Sequence, residues 1–142
     1  MLIAAQSLEA AGPRPEPLAA LRTAETIGEG IRAGDGSLVV DACAIEALPS
    51  DFDLRMHRSR AIVLAARTLD GKTLLKRGAV FEIATRARQG GVPAYAIVGH
   101  NALDLFEARI LDLQAVLQAG DRQGVTTANA ARAAGRGLAG LI

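Results

Sequence analysis

Five short runs of consecutive apolar residues recur along the chain, and segments with helical spacing separate them. The runs lie within residues 2–5, 37–45, 60–66, 92–99 and 113–120. Apolar residues that follow one another without alternation are typical of strands covered on both faces, as in a parallel sheet. Strands that alternate with amphipathic helices predict an α/β fold. We therefore expect a Rossmann-like three-layer sandwich whose mostly parallel sheet has about five strands.

The connecting segments predict helices because their apolar residues recur three and four positions apart. We expect helices from Leu18 to about residue 34, over 79–91, from Asn101 to about residue 110, and from about residue 126 to the last residue. Asn101 and either Thr126 or Thr127 are the expected N-caps. Three prolines within residues 11–17 predict a stiff extended loop before the first helix.

The last predicted helix has a face with almost no side chains. Its small residues are Ala131, Gly135, Gly137, Ala139 and Gly140. Glycine inside a helix costs about 1 kcal/mol relative to alanine, so it usually persists for a packing reason. We expect this face to pack against the sheet of its own chain, and a self-association surface is the alternative.

Length and composition limit the classes of protein to consider. The chain has 142 residues, which predicts a single domain over 1–142. Half of the residues are hydrophobic but only 3% are aromatic, so the core is expected to consist of Ala, Val, Leu and Ile. The net charge of +1 argues against a nucleic-acid partner or an acidic membrane surface. The low aromatic content also argues against base stacking.

The single cysteine and the first residues indicate the cellular compartment of the protein. Cys43 rules out an internal disulfide, fits a reducing compartment and is expected to be a buried, inert thiol. The first residues have no basic segment before their short apolar run, unlike a signal peptide, and no stretch has the apolar length of a membrane span. We expect a cytoplasmic protein.

Several familiar site motifs are absent from the sequence. It contains no G-x-G-x-x-G, no G-x-x-x-x-G-K-[ST] and no G-x-S-x-G. No histidine and cysteine residues have metal-ligand spacing, so no metal site is expected. Candidate chemistry must therefore come from polar residues that follow the predicted strands, because ligands of such sheets bind beyond the carboxyl ends of the strands.

The strongest of these candidates lies in RTLDGKTLLKRGA, residues 67–79, directly after the third apolar run. Asp70 is the candidate catalytic residue, since a carboxylate at a strand end can hold a metal–nucleotide complex or accept a hydroxyl proton. The alternative is that Asp70 and Gly71 form a turn in which the carboxylate bonds local backbone N–H groups.

Basic residues follow Asp70 at the start of the next predicted helix. Lys72, Lys76 and Arg77 can form an anion site there, or a solvated charged loop. Thr73 can contact a phosphate or cap the helix.

Three further candidates follow other predicted strands. Ser7 follows the first run, and His100 follows the fourth as a general base, a ligand contact or a plain loop residue. Asp41 ends the second run and either points into the cleft or caps a turn. His57 lies among arginines and is expected at the surface.

One stretch resembles a known family. Residues 61–99, AIVLAARTLDGKTLLKRGAVFEIATRARQGGVPAYAIVG, resemble the late part of the bacterial two-domain glycerate kinases, whose loop has the pattern G-E-G-R-x-D-x-Q-T-x-x-G-K. The residues in register are Leu69, Asp70, Gly71, Thr73 and Leu74. MLIAAQSLEA followed by TAETIGEGIRAG is similar to the start of that family.

The resemblance implies a discontinuous Rossmann-like domain that lacks the second domain inserted in that family. It implies a phosphotransferase using ATP and Mg²⁺ if the activity is retained, with Asp70 orienting metal or substrate and Ser7, Lys72, Thr73, Arg77 and His100 contacting an anionic metabolite or nucleotide.

The chain departs from the family pattern at the proposed active site. The family's loop glutamate falls on Ala66, one glycine on Arg67, its glutamine on Lys72 and its N-terminal lysine on Glu9. Phosphoryl transfer depends on charge neutralisation and positioning, so these departures predict an incomplete active site. Two functions follow: binding of an anionic ligand, or a non-catalytic assembly module that acts as a homo-oligomer.

Overall fold

A computed structural model describes residues 1–8, 16–72, 78–120 and 126–142. The strands are β1 (Leu2–Ala5), β2 (Asp41–Ala44), β3 (Ile62–Leu69), β4 (Ala94–Asn101) and β5 (Leu113–Gln118). The helices are α1 (Glu16–Gly34), α2 (Phe52–His57), α3 (Ala79–Gln89), α4 (Leu105–Leu111) and α5 (Ala128–Ala139), with a short 3₁₀ helix at Ile45–Ala47.

The five strands form one parallel sheet in the order β2-β1-β3-β4-β5. This result confirms the predicted Rossmann-like three-layer fold, and all of the strand pairs are parallel. The order is that of flavodoxin-like doubly wound sheets. In this order the direction of the connections reverses between β1 and β3, which makes the carboxyl ends of these strands a topological switch point.

Side chains alternate along each strand between two separate cores. On one face, Ile3, Val63 and Ile97 lie under α1 and α5. On the other face, Leu2 and Leu64 lie under α2, α3 and α4. Because helices cover both faces, the central strands need apolar residues at every position, which explains the continuous runs in the sequence.

The backbones of α1 and α5 approach each other closely, and glycines permit this approach. A Cβ atom on Gly30 would collide with the carbonyl oxygen of Arg132, and one on Gly135 would collide with that of Ile27. A Cβ atom on Gly34 would lie 2.8 Å from the Cβ atom of Ala139. Of the predicted small face, Ala131, Gly135 and Ala139 are buried within the chain, mainly against α1 rather than against the sheet as expected, and Gly137 and Gly140 are exposed.

Helix starts differ from prediction at two places. Helix α1 begins at Glu16, two residues before the expected Leu18, so Pro17 lies in its first turn. N–H groups in the first turn of a helix have no intrahelical acceptor, so a proline there costs no hydrogen bond. The predicted extended loop over 11–17 lies mostly outside the described ranges, since residues 11–15 are not described. Asn101 ends β4 instead of capping α4, and its Oδ1 accepts from the N–H of Leu103.

Side-chain caps fix the starts of the last two helices. Asp104 caps α4 and forms a reciprocal pair with Glu107, because each side chain accepts from the other residue's N–H. Thr127 caps α5 by accepting from the N–H of Ala130, which confirms the predicted threonine cap.

Among the described residues, no helix combines the length and the apolar character that crossing a bilayer requires.

Two alanine substitutions in α5 test the close contact between α1 and α5. Gly135→Ala places a methyl group against the backbone of Ile27, so we expect it to lower the free energy of unfolding by about 1–3 kcal/mol. Gly137→Ala is the matched control, because its Cβ atom meets nothing within 4 Å. Helix propensity alone should then stabilise the protein by about 0.5–1 kcal/mol. Urea denaturation measures both, and equal effects of the two variants would contradict the close contact.

Candidate carboxyl-edge site

Arg67 bridges the switch point between β1 and β3. Its Nε donates to the carbonyl oxygen of Ser7 at 2.7 Å, and its backbone N–H donates to Oε1 of Gln6 at 3.2 Å. The half-buried guanidinium group therefore places a positive charge where doubly wound sheets bind their ligands. The sequence analysis treated Arg67 only as the replacement of a family glycine. A charged residue near the end of a buried strand was the available signal.

His100 lies at the carboxyl end of β4 beside Thr68 of β3, with which it is in register. Its Nδ1 atom is buried and has no hydrogen-bond partner, the only such side-chain nitrogen or oxygen found in the described ranges. Buried polar atoms are nearly always paired in folded proteins. The Nδ1 atom of His100 is therefore a buried polar atom that the described part of the chain leaves unpaired.

The other predicted site residues have different surroundings at this edge. Ser7 is 2% exposed, Asp70 is half-buried directly after β3, and Lys72 is exposed two residues later. Thr73 and Arg77, like Lys76 and Glu9, lie outside the described residues. The sheet register thus brings Asp70 and His100 to the ends of neighbouring strands, because Leu69 pairs with Asn101.

The prediction for Asp41 is wrong. Asp41 begins β2 rather than ending it, so it lies at the amino edge of the sheet, away from the candidate site. Both of its carboxylate oxygens contact Arg55, at 2.7 Å from Nε and 2.6 Å from Nη2. The apolar run of 37–45 is longer than β2, which begins only at Asp41. Asp41 was expected at the carboxyl end of the strand for this reason, and it lies at the amino end.

A cleft of about 310 Å³ opens between α1 and the first turn of α5, near the residues that follow β1. Its lining includes Leu8, Thr23, Thr26, Thr126 and Thr127, together with two arginines and two glutamates, Arg22, Arg132, Glu25 and Glu29.

The polar groups of this cleft are largely used within the chain. Thr23 accepts from the N–H of Leu8, Thr26 donates to the carbonyl oxygen of Arg22, and Thr126 donates to that of Ala119. Arg132 pairs with Glu29 at 3.1 Å. The charged side chains that line this cleft are therefore balanced in sign, and these three hydroxyl groups are engaged within the chain.

Cys43 is 4% exposed within the core beneath α2. Burial raises the pKa of its thiol to about 11, and the nearby carboxylate of Asp41 adds to the shift while Arg55 opposes it. The thiol is therefore protonated at neutral pH, which agrees with the predicted inert cysteine.

The described residues contain no group of three or more His, Cys, Asp or Glu side chains that could hold a metal ion.

Comparison with known proteins identifies no relative: no protein-family model, no curated protein and no solved structure matches the chain. The resemblance to glycerate kinases therefore stays a prediction.

The raised pKa of Cys43 predicts slow reaction with thiol reagents. At pH 8, a pKa of about 11 leaves on the order of one thiol in a thousand ionised, so Ellman's reagent should label the folded protein far more slowly than the urea-unfolded chain. Since the folded pKa exceeds the ordinary value of 9.0, the stability that this thiol contributes is present below about pH 9 and is lost as the pH rises towards 11. Labelling of the folded protein as fast as that of the unfolded chain would contradict the burial of Cys43.

Proposed function

We propose that this chain is a ligand-binding α/β domain that takes an anionic metabolite or a nucleotide phosphate at the carboxyl edge of β3 and β4. The observation that supports this proposal is the buried Nδ1 atom of His100, which has no partner among the described residues. An unpaired buried donor or acceptor costs about 1–3 kcal/mol. Nδ1 has no access to solvent in this conformation, so a ligand reaches it only when the half-buried imidazole moves. A ligand atom that then bonds Nδ1 would offset that cost.

Charge at the same edge favours an anion. Arg67 is held between β1 and β3 by its bond to Ser7, and exposed Lys72 follows β3. When His100 carries a proton on Nδ1 it donates, as Arg67 and Lys72 do, and all three suit phosphate or carboxylate oxygens. Asp70 opposes the approach of an anion unless a cation accompanies it. We therefore propose that nucleotide binds with its Mg²⁺ ion, and that Asp70 lies near that ion.

We propose binding without phosphoryl transfer. The resemblance to glycerate kinases places a glutamate of that family at Ala66, and Ala66 is 1% exposed in the core of the sheet. An alanine at that position can neither hold a metal nor move a proton. The resemblance also places a glycine of that family at Arg67, which here lies within β3 and is tied to Ser7, so this position lacks the backbone freedom of a glycine.

The alternative function is a non-catalytic assembly module that forms a homo-oligomer. An assembly module needs no ligand, so titration of the protein with anions distinguishes the two functions: saturable binding favours the ligand-binding domain, and no binding favours the assembly module.

Replacement of His100 tests the proposal by isothermal titration calorimetry. Wild-type protein should bind ATP with Mg²⁺, with or without glycerate, with saturable heat. His100→Leu should weaken binding by about 10- to 100-fold, the value of one hydrogen bond to a charged group. It should leave the urea midpoint equal or higher, because a leucine leaves no polar atom unpaired.

His57→Leu is the matched control. His57 is exposed at the opposite edge of the sheet, and its Nδ1 lies 2.6 Å from the carbonyl oxygen of Asp53. The His57→Leu variant should bind ATP with Mg²⁺ with the same affinity as the wild type. Absence of saturable heat with folded wild-type protein, or equal affinity of His100→Leu and wild type, would overturn the proposal.

A further inference from the structure

The cleft between α1 and the first turn of α5 lies where ligands of this fold bind. Leu8 and Thr126, which line it, belong to the segments that follow β1 and β5, so the cleft opens at the carboxyl edge of the sheet. Doubly wound sheets bind their ligands beyond that edge. The volume of about 310 Å³ is at the lower end of the range for small-molecule sites, about 300–1,000 Å³. The cleft therefore has the position and the size of a site for one small molecule.

Hydrogen bonds hold the floor of the cleft in place. The N–H of Leu8 donates to Oγ1 of Thr23, and the carbonyl oxygen of Leu8 accepts from the N–H of Thr126. Oγ1 of Thr126 donates to the carbonyl oxygen of Ala119, which directly follows β5. These bonds join α1 and the segment before α5 to the ends of two strands. A ligand thus finds the site already formed, and binding loses little free energy in ordering it.

The threonine hydroxyl groups that line the cleft keep hydrogen-bonding capacity of both kinds. A hydroxyl group has one proton to donate and two lone pairs that accept. Thr26 and Thr126 donate their protons to backbone carbonyl oxygens, so they can still accept. Thr23 and Thr127 accept from backbone N–H groups, and their own protons have no acceptor among the described residues. Together these side chains offer a ligand donors as well as acceptors.

Thr23 is the most informative of these threonines because it is only 4% exposed. Thr26 in α1 and Thr85 in α3 show the usual arrangement in a helix, since each donates to the carbonyl oxygen four residues before it. Thr23 makes no such bond within the described ranges, although it also lies in α1. A buried donor without an acceptor costs stability and is rare in folded proteins. A ligand in the cleft that accepts from Thr23 would remove that cost.

The charged side chains of the cleft favour a ligand without net charge. Arg22 and Arg132 are matched in number by Glu25 and Glu29. Arg132 is held by Glu29 at 3.1 Å, whereas Glu25 forms no ion pair within the described part of the chain. An unpaired carboxylate repels anions and accepts strong hydrogen bonds from hydroxyl groups.

We propose that this cleft binds a neutral ring that carries several hydroxyl groups, such as an uncharged sugar or cyclitol. The hydroxyl groups of the ligand donate to Glu25 and to the two threonines that can only accept. They accept from the two threonines that still have a proton to donate. The leucine and alanine side chains of the lining suit the C–H groups of such a ring. This site is separate from the anion site proposed at β3 and β4, and its test needs no charged ligand.

Titration followed by ¹H–¹⁵N correlation NMR tests the site, with D-glucose and myo-inositol as the probes. We expect saturable shifts of the amide signals of Leu8, Thr126 and Thr127 with either probe. The dissociation constant should be about 0.1–10 mM, as for a small uncharged ligand. Cyclohexanol has a six-membered ring with a single hydroxyl group, so it should cause no saturable shift of these signals.

A matched pair of valine substitutions tests the role of the hydroxyl groups. Thr26→Val removes an acceptor from the cleft and should weaken binding by about 2- to 10-fold, the value of one neutral hydrogen bond. Thr85→Val is the control, because Thr85 makes the same bond within α3, on the other face of the sheet, and it should bind as the wild type does.

Two further variants test the charge and the space of the cleft. Glu25→Gln keeps the shape of the side chain but loses the charge of the acceptor, so binding should weaken by about 5-fold. Ala128→Trp fills the cleft from an exposed position in the first turn of α5, so it should abolish binding and leave the urea midpoint unchanged.

Three results would overturn the proposal. The first is a folded wild-type protein that shows no saturable shift with either probe. The second is a response to cyclohexanol as strong as the response to the probes, which would make the cleft an apolar groove. The third is equal binding by Thr26→Val and Thr85→Val, or undiminished binding by Ala128→Trp. None of these results bears on the anion site, because ATP with Mg²⁺ and the His100 variant test that site.

Discussion

The contact between the backbones of α1 and α5 is the constraint on which one whole face of the sheet depends. These two helices together cover Ile3, Val63 and Ile97. The contact works because Gly30 and Gly135 have no Cβ atom at the points of closest approach. The exposed pair of Arg132 and Glu29 crosses the same boundary, but exposed ion pairs contribute little to stability. Shape, rather than charge, joins the helices.

The sequence was sufficient to predict the strands but not their order. Residues 2–5 were predicted as a strand, and β1 is Leu2–Ala5, because a fully buried strand leaves a continuous apolar run. The order β2-β1-β3-β4-β5 follows from how the connecting helices distribute over two faces, and an apolar run contains no information about the face on which the next helix lies. Asn101 was predicted as a helix cap because asparagine is a favoured N-cap. Asparagine also favours turns after strands, which is its role here.

The position of the candidate site was predictable, while its details were not. A parallel sheet binds ligands at its carboxyl edge, so His100 and Asp70 could be located from the strand pattern alone. The hydrogen bond from Arg67 to Ser7 could not be predicted from the strand pattern. It requires β1 and β3 to be neighbours in the sheet, although the two residues are about sixty positions apart in the chain. The unpaired Nδ1 atom is likewise a property of packing, which the identity of a single histidine does not reveal.

The segment after β3 lies against the start of α4. The loop after β3 meets the first turn of α4, since a Cβ atom on Gly71 would collide with the carboxylate of Glu107. Glu107 belongs to the cap that fixes α4, and Gly71 follows Asp70 directly. The two segments are therefore in direct contact through the carboxylate of Glu107.

The pairing of α1 with α5 also determines the order of events when a ribosome makes this protein. Helix α1 leaves the exit tunnel early, but its glycine-lined side meets its partner only after all five strands have been synthesised. Until then, one face of the growing sheet stays half covered, and its isoleucines and valines are open to chaperones or to neighbouring chains. Synthesis rate and chaperone supply should thus affect the yield of this protein more than that of a chain whose helices pair with near neighbours in sequence.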